Sequence, residues 1–472
     1  MNFKKGISPY QEALIPKKAI NFLPENHLAK VIYEVVEFLD LKPIIAKYSE
    51  SGQYAYNPKM MIRLLFYHYS IGIYSSRKIA KSCIERLDTM YLADGLRPSH
   101  DRISDFRLDN LSELNDLFSE IVMLGNELGL IEIHDMNLSV DGTKLKANAS
   151  SKLSKTQEDF EKLLEKTNDE MGQLLAKAQQ IDNEEDAIEK NHKIPEKLQS
   201  KKARKKAIEN AIKKLKLKKD LAKSKIEIEK KRNVTKAESN KINKLKLNST
   251  DNDAKFMKQR NGLIKPSYNG QIMVDEKEQF IVSNDVTDNC NDQHELIHMI
   301  DKTIKELGYM PSSIKGDNGY FPELDSAVKL YPEIDFYIDD RNRRKEIINL
   351  EEIKKTYSEE KLINLLKLLS ESGENEYKKR MFTVEPVFGN LKENTGIRTF
   401  LLRKLKKVKG EFNLMCIGHN MKKISMYMNK KGVPIAKAIL KCKENKEIMV
   451  KIGNSGSNLL HSADNSICLY CC

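Results

Sequence analysis

Three carboxylates stand in surroundings suited to metal-assisted chemistry on a phosphodiester. Asp141 lies in Val140-Asp-Gly-Thr-Lys144, Asp317 in Lys315-Gly-Asp-Asn-Gly-Tyr-Phe321, and Glu385 in Val384-Glu-Pro-Val-Phe388. Breaking or transferring a phosphodiester calls for a strong oxygen nucleophile, charge relief on the scissile phosphate and stabilisation of the departing 3′ oxygen. Two magnesium ions about 3.5–4 Å apart supply all three. Magnesium prefers hard oxygen ligands and keeps several waters, so a few carboxylates converging from rigid elements suffice to hold it. One acid alone would carry no information among 68 Asp and Glu residues, most of which belong on the surface. Their neighbours carry more: Gly142, Gly316 and Gly319 let backbone, ion and substrate approach closely.

The elements that must position these acids are readable from hydrophobic spacing. Leu138 and Val140, with Leu145 beyond, bracket the polar stretch Asp141–Lys144, which predicts a buried strand ending in a polar turn. Tyr268–Val274 and Gln279–Val286, joined by Glu276-Lys277-Glu278, predict a hairpin. A helix is expected over Asp292–Gly308, a strand over Ser312–Lys315 running into the turn that bears Asp317, a helix over Pro322–Leu330 and a strand over Asp335–Asp339. A charged helical stretch and a helix over Tyr377–Asn394 follow, and the second of these carries Glu385. Strands alternating with helices make a mixed α/β layer pattern.

A long charged segment interrupts that pattern after the first strand. Phe160, Leu164, Thr167, Met171, Leu174, Ala178 and Ile181 step by four and three, as do Ile208, Ile212, Leu215, Lys219, Ala222 and Ile226. Pro195 between them cannot sit in mid-helix, so the two arms are expected to fold back as an antiparallel helical hairpin. The net charge of +13 is concentrated here: residues 201–250 hold 19 basic and 5 acidic side chains, whereas residues 151–200 hold 8 basic and 12 acidic. The positive arm reads either as a solvated coiled-coil face or as a DNA contact. Residues 233–265 read as a polar return.

Residues 26–130 are helical almost throughout. Leu28, Val31, Ile32, Val35, Val36 and Leu39 form one apolar face; a second helix opens at Pro58 and runs to Gly72, a third starts behind Ser75 or Ser76, and a longer one spans Leu111–Leu128. Such helices suit a helix-turn-helix DNA reader or a plain bundle, and Arg77, Lys78, Arg102 and Arg107 suit DNA contacts or a solvated face. No apolar run approaches a membrane span, and no signal peptide is visible at Met1–Ile20, so a cytoplasmic protein is expected. Seven scattered cysteines make no disulfide framework, and Cys468-Leu-Tyr-Cys471-Cys472 reads as a frayed tail rather than a zinc site. Asp292, His294 and His419 lie near the acidic motifs and read as structural.

Taken together, Val140-Asp-Gly-Thr-Lys-Leu-Lys-Ala-Asn-Ala-Ser150, Tyr268-Asn-Gly-Gln271, Lys315-Gly-Asp-Asn-Gly-Tyr-Phe321 and Val384-Glu-Pro-Val-Phe-Gly-Asn-Leu-Lys392 resemble the DDE transposases of bacterial insertion sequences. Tyr56-Asn-Pro-Lys-Met-Met61, Tyr74-Ser-Ser-Arg-Lys-Ile79 and Ser104-Asp-Phe-Arg107 are similar to that family's helical DNA-binding domain. The resemblance spans residues 20–425. It implies an α/β, ribonuclease H-like mixed-sheet catalytic domain over 131–425 interrupted by the hairpin at 151–250, a helical N-terminal DNA-binding domain over 1–130, and a C-terminal tail over 426–472.

It also implies that Asp141, Asp317 and Glu385 are catalytic metal ligands for two Mg2+ ions, with Mn2+ as a substitute. The family's Tyr-Arg-Glu-Lys signature falls on Tyr377, Arg380, Glu385 and Lys392, in which Tyr377, Arg380 and Lys392 would serve DNA phosphates. Four residues separate Arg380 from Glu385 where the family has three. The implied activity is cleavage at transposon terminal repeats and strand transfer into target DNA by a homodimer on double-stranded DNA, associated with the nucleoid when bound. A catalytically inactive, transposase-derived DNA-binding protein is the alternative. A rod-like coiled-coil interaction protein would explain only residues 151–250.

Overall fold

The computed structural model describes residues 23–48, 55–184, 196–259, 261–345 and 348–444. Its N-terminal part consists of α1 (Leu28–Phe38), α2 (Lys42–Ile45), α3 (Pro58–Ser70), α4 (Ser76–Glu85), α5 (Leu87–Leu92), α6 (His100–Asp109) and α7 (Glu113–Leu128). Local chemistry sets several starts. Asn57 accepts from the Lys59 N–H ahead of Pro58, and Ser99 accepts from the Arg102 N–H. Ser75 occupies the cap position of α4 without a side-chain cap bond.

Arg107 departs from expectation. It is buried and donates to the Tyr69 hydroxyl (3.0 Å) and the Tyr74 carbonyl (3.1 Å), tying α6 to α3 instead of facing solvent or DNA. Arg77, Lys78 and Arg102 are exposed.

β1 (Asn137–Lys146) opens the sheet, and the chain then leaves it for an insertion: β2 (Ser154–Lys155), α8 (Gln157–Glu184), α9 (Glu196–Lys230), α10 (Lys236–Asn243) and β3 (Leu247–Asn248). β2 and β3 pair antiparallel and close its base. Gln157 meets Lys219 (3.1 Å) and Glu170 meets Lys201 (2.6 Å), so α8 and α9 run antiparallel. Phe160, Ile208, Ala211, Leu215 and Leu247 make a small core separate from the main one. The bend expected at Asn191–Pro195 and the tail beyond Glu444 lie outside the described residues. The segment expected to be a polar return holds α10, whose start is closed by reciprocal Thr235 and Glu238 capping bonds, and two further strands before Pro266.

Those strands are β4 (Lys255–Lys258) and β5 (Ile264–Asp275), followed by β6 (Ile281–Thr287), α11 (Leu296–Leu307), β7 (Ser313–Gly316), α12 (Leu324–Leu330) and β8 (Asp335–Ile338). The sheet order is β4-β5-β1-β7-β8, with β6 also pairing β5. β6, β5 and β1 are antiparallel neighbours; β1, β7 and β8 are parallel. α13 (Leu350–Thr356), α14 (Glu359–Leu369), α15 (Glu371–Gly389, continued by a π turn at Asn390–Asn394) and α16 (Leu405–Lys431) follow; a last helical stretch at 435–444 packs Ile435, Ile439 and Cys442 into the main core, so the tail expected from residue 426 belongs to that core as far as Cys442. α16 packs on α1, α3, α7 and β6, and one continuous apolar core joins the N-terminal helices to the sheet. No helix among the described residues is long and apolar enough to cross a membrane.

Candidate active site

Asp141 lies in mid-strand, not at the strand end expected from the polar residues after it. β5 pairs with β1 over its length, from Leu138↔Asp275 to Lys146↔Ser267, and this ladder holds the polar stretch extended whatever its local preference. On the other edge β1 pairs in parallel with β7, from Asn137↔Ser313 to Ser139↔Lys315. That pairing ends two residues short of each acid, and Asp317, which directly follows β7, is near enough to Asp141 to act on its charge.

Each acid is held by a backbone donor: Gly142 N–H to Asp141 Oδ1 and Gly319 N–H to Asp317 Oδ1, both 2.8 Å. Burial pushes Asp141 up to about 6, with Arg380 opposing the rise and Asp317 adding to it. Asp317 is raised by burial too, again against the pull of Arg380.

Arg380 is the cation between them. It projects from the buried side of α15, its Nη2 is 2.8 Å from Asp141 Oδ2, and its Nε is buried with no partner among the described residues. Tyr377, one turn earlier, is buried beneath the guanidinium of Arg343, which lies 4.6 Å from its ring centre. Lys392 is half-buried on the π turn, 5.6 Å from the Phe388 ring centre.

Glu385 is exposed. It precedes Pro386, whose missing N–H leaves the Phe382 carbonyl without its helical donor; Gln279 Nε2 supplies one at 2.8 Å. The structure thus brings Asp141, Asp317 and Arg380 together and leaves Glu385 outside that group. Two adjacent carboxylates fit a hard divalent cation in kind. They fall short in number, because among the described residues no three Asp, Glu, His or Cys side chains gather closely enough to hold an ion.

Asp292, read from sequence as structural, belongs to this neighbourhood. α11 starts at Leu296, four residues later than expected, which leaves Asp292 in the preceding loop. Its Oδ1 accepts from Asn269 Nδ2 (2.7 Å) and Gln271 Nε2 (2.5 Å), and Gln271 in turn accepts from the Tyr320 hydroxyl (2.5 Å). A Cβ at position 142 would meet Asp292 Oδ1 and Gln271 Nε2, so a larger residue there would have to displace that hydrogen-bonded pair. The signal available in the sequence was Tyr268-Asn-Gly-Gln271, whose two amides alternate onto one face and need an acceptor. His419 is structural as read: buried, bonded to Asn390 and the Gln279 carbonyl, and pushed down to about 4 by burial.

A second missed feature is the turn Arg341–Arg344. Arg341 Nε donates to Asn318 Oδ1 (2.7 Å), next to Asp317; Arg343 and Arg344 both pair with Asp339, which is fully buried at the end of β8. The run Arg341-Asn-Arg-Arg-Lys345 is dense in charge, yet it reads as solvated helix because nothing local reveals what it faces.

Residues 17–109 match the family described as Transposase domain (DUF772), and residues 340–425 match the family described as Transposase DDE domain. No curated protein and no solved structure matches the chain. The second match contains Tyr377, Arg380, Glu385 and Lys392, while Asp141 and Asp317 precede it. The two matches, in this order, support a DDE transposase of insertion-sequence type.

Proposed function

We propose that the chain cleaves DNA at transposon ends and joins the freed 3′ ends to target DNA, with Asp141, Asp317 and Glu385 as the ligands of two Mg2+ ions, or Mn2+ in their stead. The observation that carries this reading is the parallel β1/β7 pairing that brings Asp141 and Asp317 into each other's electrostatic reach. Bound there, the ions would polarise the scissile phosphate and supply the nucleophilic oxygen at neutral pH. Arg380 keeps the close carboxylates from being an uncompensated buried charge. Glu385, on α15 next to the ladder break at Pro386, would be the third ligand. Tyr377, Arg380 and Lys392 are assigned to the DNA backbone near the cut.

A three-stranded antiparallel meander continued by two parallel strands supports a ribonuclease H-like catalytic domain over 131–425 with the hairpin at 151–250 as its insertion, and the helical part over 1–130 is assigned to DNA binding. The substrate is double-stranded DNA, and two ends to be joined call for two active sites, hence a homodimer on DNA in the cytoplasm at the nucleoid. The exposure of Glu385 favours one second reading, a DNA-binding relative without catalysis. Incubating purified protein with labelled element-end DNA, with and without magnesium, decides between them. Metal-dependent nicking at the element boundary supports the enzyme, and binding without nicking under every divalent ion supports the alternative.

A further inference from the structure

The long helix α9 is apolar on two opposite faces. Ile208, Ala211 and Leu215 belong to the small core of the insertion, which they share with Phe160 of α8. On the other side, about 180° round at about 100° per residue, stand Leu217, Leu221 and Ile228, which are 60%, 61% and 75% exposed. Ser224, also exposed, completes a spacing of four, three and four along this outer stripe. A helix on the surface of a protein carries one apolar stripe and turns it to the core. A second stripe, left open among the described residues, marks a contact with another molecule.

The charges beside the stripe define that molecule. In heptad terms Leu221 and Ile228 fall at a, and Leu217 and Ser224 at d; Asp220 and Glu227 then occupy g, and Lys218 and Lys225 occupy e. One flank is acidic and the other basic. Two parallel copies of α9 set g of each against e of the other, so that Asp220 of each copy faces Lys225 of the other. Antiparallel copies would set acid against acid and lysine against lysine. Isoleucine at a with leucine at d also suits two parallel strands. The pattern is therefore self-complementary, as a two-fold contact between identical chains requires.

We infer that two copies of the chain associate through the outer stripe of α9, parallel and in register, with Leu217, Leu221, Ser224 and Ile228 at the seam. The inference rests on the homodimer reading for its purpose and adds the surface that makes the contact. Three large side chains from each copy bury less than the roughly 1,200–2,000 Å2 of a stable interface, so the contact is weak in the free protein and tightens once two copies are held close on DNA.

Disulfide trapping detects a contact of this strength. In the full-length protein, S224C is expected to oxidise to a linked dimer on the order of tenfold faster than K223C, whose exposed side chain points about 100° away. The natural chain sets the background from its own cysteines. Adding L221K and I228K to S224C should remove the excess; adding D220K, which sets lysine against Lys225, should lessen it, and D220K/K225E should restore it. All these positions are exposed, so the melting temperature should stay unchanged. Equal trapping of S224C and K223C, or trapping that survives L221K/I228K, overturns the inference. Its failure is distinct from that of the reading beneath. A paired-end DNA complex that forms without S224C trapping sinks the α9 contact and spares the homodimer, whereas S224C trapping without nicking supports the contact and sinks the cleavage reading.

Discussion

Asp141 and Asp317 are positioned by a sheet, Arg380 and Glu385 by a helix, and the two kinds of element fix side chains differently. A parallel ladder has discrete registers, and this one brings the two acids into each other's electrostatic reach, with backbone donors on each. A helix fixes its residues by angle, at about 100° per residue, so Arg380 and Glu385, five apart, point about 140° away from each other. At the family's spacing of four they would be about 40° apart. The extra residue therefore has a physical consequence: Arg380 faces Asp141 and Glu385 faces solvent. The acid pair is a property of the sheet, while the direction of Glu385 depends on how α15 turns on it.

Substitution at the sheet gives the largest expected effect. D141A and D317A should each lower the nicking rate by at least about 10³-fold and leave binding to element ends intact, as measured by gel assay and titration. E385Q should lower nicking by about 10²-fold with an unchanged melting temperature, because the side chain is exposed. Wild-type nicking by E385Q would break the comparison, leaving a two-acid site. R380M removes the cation beside Asp141 and should cost about 3 kcal/mol in denaturant unfolding at pH 7.5.

The acid itself can be tested by pH. Asp141 is pushed up to about 6, so the folded protein holds its proton more tightly than the unfolded chain does, and this residue's contribution to stability is lost as pH rises from about 4 through 6. D141N escapes that loss. Whatever the loss of the Arg380 contact costs it, its stability relative to the natural chain should rise by about 3 kcal/mol between pH 4 and pH 7.5; a difference independent of pH would show that burial does not strain the carboxylate. The smallest effect is expected at Gln279, whose removal as Ala leaves the Phe382 carbonyl without its donor and should cost about 1 kcal/mol.

Much of the framework was legible from the residues alone. The apolar faces of α1 and α3, the hairpin of β5 and β6, and the strands at Ser313 and Asp335 follow from periodicity and turn residues, because those signals are local. The end of β1 was misread, since polar Asp141–Lys144 stays extended only through its pairing with β5. Arg107 looked like a surface cation, and nothing within its own helix reveals that Tyr69 and the Tyr74 carbonyl enclose it. Asp292 and the Arg341–Arg344 turn escaped for a like reason: their partners, Gln271, Asn318 and Asp339, come from other elements.

By itself the amino-acid order determined which acids could matter, which family the chain resembles and where a charged helical pair interrupts the sheet. These are matters of residue type and spacing, and they survive without any knowledge of folding. Only the tertiary structure decided that Asp141 and Asp317 are neighbours, that Arg380 bridges toward them, and that Glu385 looks outward. Proximity across 176 residues is set by strand register, and the direction of a helical side chain by the packing of its helix, neither of which is written in the local sequence.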